Sequence, residues 1–231
     1  MRALRILLIL VVILGVLFVI VDRVAVHFAE GEAADKLKSS QNLASTPDVD
    51  ITGFPFLTQV AGGSLDDVQV GIKDYEATTG TAGKTIRIAD LKADMKGVSF
   101  SGDYSSATAA DASGTATIAY DQLLGAVKDE PVELPLGATG KVTGLAYGGN
   151  GKVRATVEVA GVPLPVLGTV TVKGDTVKVH ADGLPKFGNR ALDVSEVKIG
   201  ALPGGIRLDK VQAAQDGVEI TVKGSDVKLA G

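Results

Sequence analysis

The chain has no cysteine and no tryptophan, and its 231 residues include only 2 histidines, 2 methionines, 4 tyrosines and 6 phenylalanines. Without thiols there is no disulfide framework, cysteine nucleophile, iron–sulfur cluster or thiolate zinc site. His27 and His180 have no neighbouring partner in sequence, which leaves little for an imidazole metal site or a catalytic triad. G-x-S-x-G, P-loop and dinucleotide fingerprints do not occur. The carboxylates at Asp66-Asp67, Asp121 and Asp129-Glu130 mostly stand in turn contexts, not as a pair set across a sugar ring, and few aromatic rings remain for stacking on one. A net charge of −4 without a basic stripe argues against nucleic acid. These shortages lead us to expect no enzyme, no cofactor and no bound metal.

What the chain does have is aliphatic. Ile6 to Val21 form an uninterrupted apolar run, preceded by Arg2 and Arg5 and closed by Asp22-Arg23. A charged leader followed by an apolar core indicates export. The run exceeds an ordinary signal core, and no small-residue cleavage site follows it. Residues 1–22 are therefore read as a signal anchor or transmembrane segment, with a secreted product after signal cleavage as the alternative. The leader arginines keep that end cytoplasmic, so the remainder is extracytoplasmic and single-pass. Beyond the anchor the charge is uneven: residues 22–139 carry 9 Lys/Arg against 18 Asp/Glu, and residues 140–231 carry 12 against 9. The later half can meet an anionic surface.

Residues 23–46 are expected to continue the anchor as an amphipathic helix. Val24, Ala25, Phe28, Ala33 and Leu37 supply an apolar stripe, and Thr46-Pro47 ends the helix. From residue 47 to 231 the period changes to two. Val49/Ile51, Val68/Val70/Ile72, Ile86/Ile88 and Val153 to Val159 alternate as strands. Val170/Val172 and Val177/Val179 flank a hairpin turn at Lys173-Gly174-Asp175, and Gly224-Ser225 reads as another turn. One short helix interrupts at Ala119 to Val127. The expected fold class is α+β, with an N-terminal helix wrapped by a long curved antiparallel sheet. Such a sheet must cover its apolar face with a helix, a second sheet or a ligand. Leu65-Asp66-Asp67-Val68-Gln69 and Leu208-Asp209-Lys210-Val211-Gln212 form a faint internal repeat.

Five segments combine Pro, Gly and apolar residues: Gly53 to Leu57, Leu134 to Gly137, Gly161 to Gly168, Gly183 to Gly188 and Gly200 to Gly205. Loops normally run over the surface and carry polar residues, so greasy ones mark core corners, a pocket rim or membrane contact. Phe28, Leu37, Phe54, Phe56, Leu57, Leu164, Val166 and Leu167 are the candidate apolar contacts, with the Phe54 and Leu164 loops near one opening. Lys186, Arg190 and Arg207 lie beside these loops and are candidates for an anionic headgroup, since guanidinium binds phosphate in bidentate fashion. An amphiphile with an anionic head is the ligand class that fits. A structural or protein-interaction β module that scaffolds envelope biosynthesis is the alternative.

Three stretches resemble a known family: VDITGFPFLTQVAGGSLDDVQV, the segment Gly114 to Leu123, and the terminal LPGGIRLDKVQAAQDGVEITVKGSDVKL. They are similar to the LmeA-like phospholipid-binding family of actinobacterial cell-envelope proteins. The most specific elements are Gly53 to Gln59 and Leu202 to Leu208. The resemblance implies an exported, membrane-attached protein with a tubular lipid-binding-like fold. Its implied partners are the cell membrane and phospholipids, including phosphatidylinositol-type lipids, and its implied role lies in lipoglycan or envelope assembly.

Overall fold

The computed structural model describes residues 2–40, 42–78, 85–103, 105–128, 131–133, 139–173, 176–182, 193–198 and 205–230. A helix α1 (Arg2–Ser40) opens the chain, followed by β1 (Asp48–Thr52), α2 (Phe56–Ala61), β2 (Ser64–Thr78), β3 (Thr85–Phe100), β4 (Ala107–Ala119) and α3 (Tyr120–Val127). Then come β5 (Pro131–Glu133), β6 (Thr139–Gly149), β7 (Lys152–Val159), β8 (Val162–Lys173), β9 (Thr176–Asp182), β10 (Asp193–Lys198), β11 (Arg207–Ala213) and β12 (Gly217–Ala230). The strands pair antiparallel in two six-stranded sheets, β1-β2-β3-β4-β12-β11 and β10-β9-β8-β7-β6-β5. The architecture is α+β, a long apolar helix beside a large curved antiparallel sheet.

The apolar run and the helix after it are one element. At about 1.5 Å per residue, Ile6 to Val21 rise about 24 Å within α1. The helix stops at Ser40, short of Thr46. Asn42 takes a left-handed conformation (φ 51°), and the Leu43 N–H reaches back to the Lys38 carbonyl at 2.9 Å, the backbone bond of a Schellman cap. The face that docks also differs from the expected stripe. Asp22, Val26 and Ala34 are buried and Ala25 and Ala29 pack beside them, whereas Val24 and Phe28 are exposed. Val26 and the small Ala25, Ala29 and Ala34 thus face the domain, one helix face round from Val24 and Phe28.

Register explains the sheet's two faces. Val49, Val70, Ala93, Gly114, Val222 and Leu208 lie opposite one another across all six strands of the first sheet. One residue along each strand, Asp50, Gln69, Asp94, Ser113, Lys223 and Arg207 form the adjacent row. Because successive side chains point to opposite faces, one face is apolar and the other charged. Gly114 has no substitute in its row: a Cβ there would stand 2.9 Å from Val222 Cγ2 and 3.3 Å from the Lys92 carbonyl oxygen.

Two expectations are corrected by the strands themselves. Gly224-Ser225 is not a turn. β12 runs through it, with Gly224 opposite Ala112 and Val227 opposite Ala109 on β4. Gly224 is required instead by close approach, since a Cβ would meet Val227 Cγ2 at 2.6 Å. Nor is Gly161 to Gly168 a loop: Ala160 and Gly161, both at positive φ, make the turn, and Val162 onward is strand β8. Pro163 and Pro165 lie in this strand opposite Glu158 and Thr156 of β7. β8 and β9 pair antiparallel on either side of the expected turn, with Val170 opposite Val179 and Val172 opposite Val177, while Gly174 and Asp175 of the turn lie outside the described residues. The internal repeat is not a duplicated pairing unit. β1 pairs with β2, whereas β10 pairs with β9 in one sheet and β11 with β12 in the other.

The core is in two parts. The first gathers Val26, Ile51, Phe56, Leu65, Val98, Ala109, Ala112 and Val227 where α1 and α2 lie on the first sheet. The second gathers Val153, Val211, Ala213 and Val218, with Tyr120 and Leu123 of α3 and Val170 and Val172 of β8 packed against them.

Candidate functional site

Between these two clusters the apolar face of the first sheet stays partly open. The row Leu65, Val98, Ala109, Val227 is fully buried. Two rows further along the strands, burial falls. Val70, Ile72, Leu91, Ala93, Ala116 and Val222 are only half-buried and belong to neither cluster. Ala93, Gly114 and Ala116 make a low floor, and Val70 and Ile72 on β2 and Val222 on β12 stand at its sides. Across β2, β3, β4 and β12 that strip is about 14 Å wide, three strand spacings. It is a shallow aliphatic trough whose chemistry suits hydrocarbon: each CH₂ removed from water there contributes about 0.8 kcal/mol.

The opposite face carries charge. A groove of about 690 Å³ is lined there by Lys96, Asp111, Arg207, Asp209 and Lys223, and a second of about 440 Å³ adjoins it at Asp94 and Ser113. Lys223 Nζ sits 3.1 Å from Asp209 Oδ2. Arg207, the one headgroup candidate within the described residues, is exposed at this groove; Leu208 beside it packs on the second cluster. Lys186 and Arg190, with the loops Leu134 to Gly137 and Gly183 to Gly188, lie outside the described residues. Arg207 stands on the charged face of the first sheet, and the trough lies on its apolar face.

At the foot of α1 a compact junction joins helix, loop and sheet. The buried Asp22 carboxylate accepts the Leu57 N–H at 2.8 Å, and Arg23 Nη2 lies 2.6 Å from its other oxygen. Arg23 Nη2 also donates to the Gly53 carbonyl at 3.2 Å, and its guanidinium lies 5.3 Å from the Phe54 ring centroid. Pro55 precedes α2 and supplies no side-chain cap, so Asp22 from another helix satisfies an N–H that the first turn leaves open. Gly53 stands at φ 100°, where a Cβ would fall 2.4 Å from Gln59 Nε2. Gln59 Oε1 in turn accepts the Asp66 N–H at 2.8 Å. Further along α1, Glu30 Oε1 accepts the Ile51 N–H at 3.0 Å. The GFPFLTQ segment thus fastens α1 to the start of β2.

The candidate apolar residues separate accordingly. Phe56 is buried and Leu57 packs beside it in the first cluster, while Phe54 and Phe28 are exposed and Leu37 is half-buried. Leu164 and Leu167 are exposed and Val166 half-buried on β8, a strand whose Val170 and Val172 serve the second cluster. The structure does not place the Phe54 and Leu164 segments in one cluster. Near β8, Asp182 accepts from Lys152 Nζ and Thr169 Oγ1, each at 3.0 Å, and these bonds hold its carboxyl below the ordinary carboxylate range against the opposing effect of burial. Sequence reasoning missed Asp22 and Arg23 as a clamp, and missed the trough residues Leu91, Ala93, Ala116 and Val222. Period-two alternation marks Leu91, Ala93 and Met95, but not which stretch of the face the other elements leave uncovered.

A family model described as LmeA-like phospholipid-binding matches residues 20–223, most of the chain. No curated protein and no solved structure matches.

Proposed function

Because the chain belongs to the LmeA-like phospholipid-binding family, we propose that it is a membrane-anchored, extracytoplasmic protein that holds or shuttles phospholipids in the cell envelope. The observation that carries this reading is the half-buried aliphatic trough of Val70, Ile72, Leu91, Ala93, Ala116 and Val222, left between two closed clusters. Acyl chains lying on it remove apolar surface from water on both partners. Binding alone needs no covalent step, in keeping with a lipid-binding family. One helix, α1, is long and apolar enough to cross a membrane, and its N-terminal position suits a signal anchor. Anionic lipids, phosphatidylinositol-type among them, are the preferred class, with Arg207 at the β11 edge and Lys186 and Arg190 as candidate headgroup contacts. Support of lipoglycan or envelope assembly would follow from delivering such lipids.

The test is lipid uptake. Full-length protein purified from membranes should carry phospholipid by native mass spectrometry and exchange it with labelled liposomes. Lipid-free protein that takes up none from liposomes would favour the scaffold reading.

A further inference from the structure

We infer that the exposed apolar residues around the foot of α1, Val24, Phe28 and Phe54, lie in the interfacial layer of the bilayer, so that the folded domain rests on the membrane at a fixed height instead of hanging from a flexible stalk. The inference rests on reading Ile6–Val21 as a membrane span.

Three observations carry it. First, α1 has no break between the apolar run and the docked segment. Val24 stands about 4.5 Å and Phe28 about 10 Å above Val21 along the helix. The headgroup layer on each side of a hydrocarbon core about 30 Å thick is several ångströms deep, so Val24 falls within it and Phe28 near its outer limit. Second, these side chains are unusually open for their size: Phe28 is 71% exposed, Val24 65% and Phe54 57%. Val24 and Phe28, four residues apart, share one helix face, and the buried Asp22 and Val26 dock the helix to the domain. Third, Phe54 is held at the same level as the end of the span. Arg23 binds the Gly53 carbonyl and covers the Phe54 ring, and Asp22 fixes the following turn through Leu57. An aromatic ring paired with an arginine, one apolar and one able to reach headgroups, is the composition that settles at a membrane–water boundary. The same cluster that receives Phe56 and Val26 begins the apolar face of the first sheet. The trough lies beyond that cluster, two rows further along the strands from the junction.

The absence of tryptophan makes the test clean. Full-length Phe54→Trp, Val24→Trp, Gln69→Trp and Val16→Trp proteins are reconstituted singly into phosphatidylcholine–phosphatidylglycerol vesicles, with and without lipids brominated near the carbonyl end of the chain. Phe54→Trp and Val24→Trp should show blue-shifted emission quenched at least twofold, and Gln69→Trp on the charged face should not be quenched. Val16→Trp reports the span itself. If Val16→Trp is quenched while Phe54→Trp and Val24→Trp emit as in water, the docking is wrong and the anchor stands. If Val16→Trp is also unquenched, the anchor reading fails and the docking fails with it. Should Phe54→Trp not fold, Val24→Trp, on an exposed helix position, decides alone.

Discussion

The Asp22 carboxylate accepts the backbone N–H of Leu57 at 2.8 Å, tying the helix that carries the apolar run to a six-residue helix 35 positions later. The Asp22 side chain is buried, the bond is partly so, and Arg23 balances the charge from the solvent side. It converts a helix that would otherwise be a tether into part of the domain. Asp22→Ala leaves the Leu57 N–H without an acceptor and Arg23 without its ion pair. We expect Tm to fall by roughly 5 °C in detergent, and Asp22→Asn, which retains one acceptor oxygen, to lose less. Thermal unfolding by circular dichroism checks both.

Gly53 is fixed by conformation and by space. At φ 100° with Gln59 Nε2 in the way, an alanine strains the backbone and displaces Gln59 from Asp66. Gly53→Ala should cost about 1–3 kcal/mol in urea unfolding, without changing the m-value. Gly63→Ala is the comparison, because Gly63 also has positive φ but nothing within 4 Å of its missing Cβ; its smaller loss isolates the effect of the close contact.

Leu91 sits half-buried in the trough, outside both core clusters. Truncation to alanine removes about three carbons of hydrocarbon contact and should weaken phospholipid binding roughly tenfold. Folding should suffer less than for a truncation in the fully buried Leu65 row. Equilibrium titration with a fluorescent phospholipid, beside urea unfolding of each variant, separates the two effects.

Arg207 lies on the charged face, one residue from Leu208 on the apolar face. Arg207→Gln should leave affinity for phosphatidylcholine unchanged and reduce the preference for an anionic phospholipid several-fold, with the difference shrinking as salt rises. Competition between the two lipids at low and high ionic strength is the measurement.

Asp182 ties β9 to β7 and β8 through Lys152 and Thr169, which lower its pKa. A depressed folded-state pKa means that its stabilisation is fully present above the unfolded value of about 3.9 and is lost as pH falls through the lower folded value. Amide exchange at the β8–β9 ladder should therefore be insensitive to this group at neutral pH and accelerate, after correction for intrinsic rates, only below about pH 4. Asp182→Asn should remove that acid step.

Much of this arrangement was legible from residue order. Alternation placed β1, β7 and the β8–β9 hairpin, because a half-buried antiparallel strand must alternate. The apolar run and its continuation into a helix were equally plain. What failed is instructive in physical terms. Gly224 and Gly161 to Gly168 read as turns and loops because glycine and proline usually punctuate strands. Here Gly224 meets a close approach to Val227, and Pro163 and Pro165 lie within β8, paired with Glu158 and Thr156 of β7. The docked face of α1 was only partly read: Ala25 of the expected stripe packs on the cluster, but Asp22, Val26, Ala29 and Ala34 complete that face, and Val24 and Phe28 are left exposed. The Asp22–Leu57 bond joins positions whose proximity no local pattern encodes. The trough was invisible for the same reason: it is defined by which stretch of an apolar face α1, α2, α3 and the second sheet leave uncovered.

The central claim, that phospholipid chains lie on the open apolar face of the first sheet, is tested most directly by photo-crosslinking. Full-length protein in vesicles containing a phospholipid with a diazirine in its acyl chain is irradiated, digested and mapped by mass spectrometry. The account predicts adducts on Val70, Ile72, Leu91, Ala93 and Val222, reduced by an excess of unlabelled lipid, in addition to those on the span. Adducts confined to residues 6–21, with none on β2, β3 or β12, would contradict it.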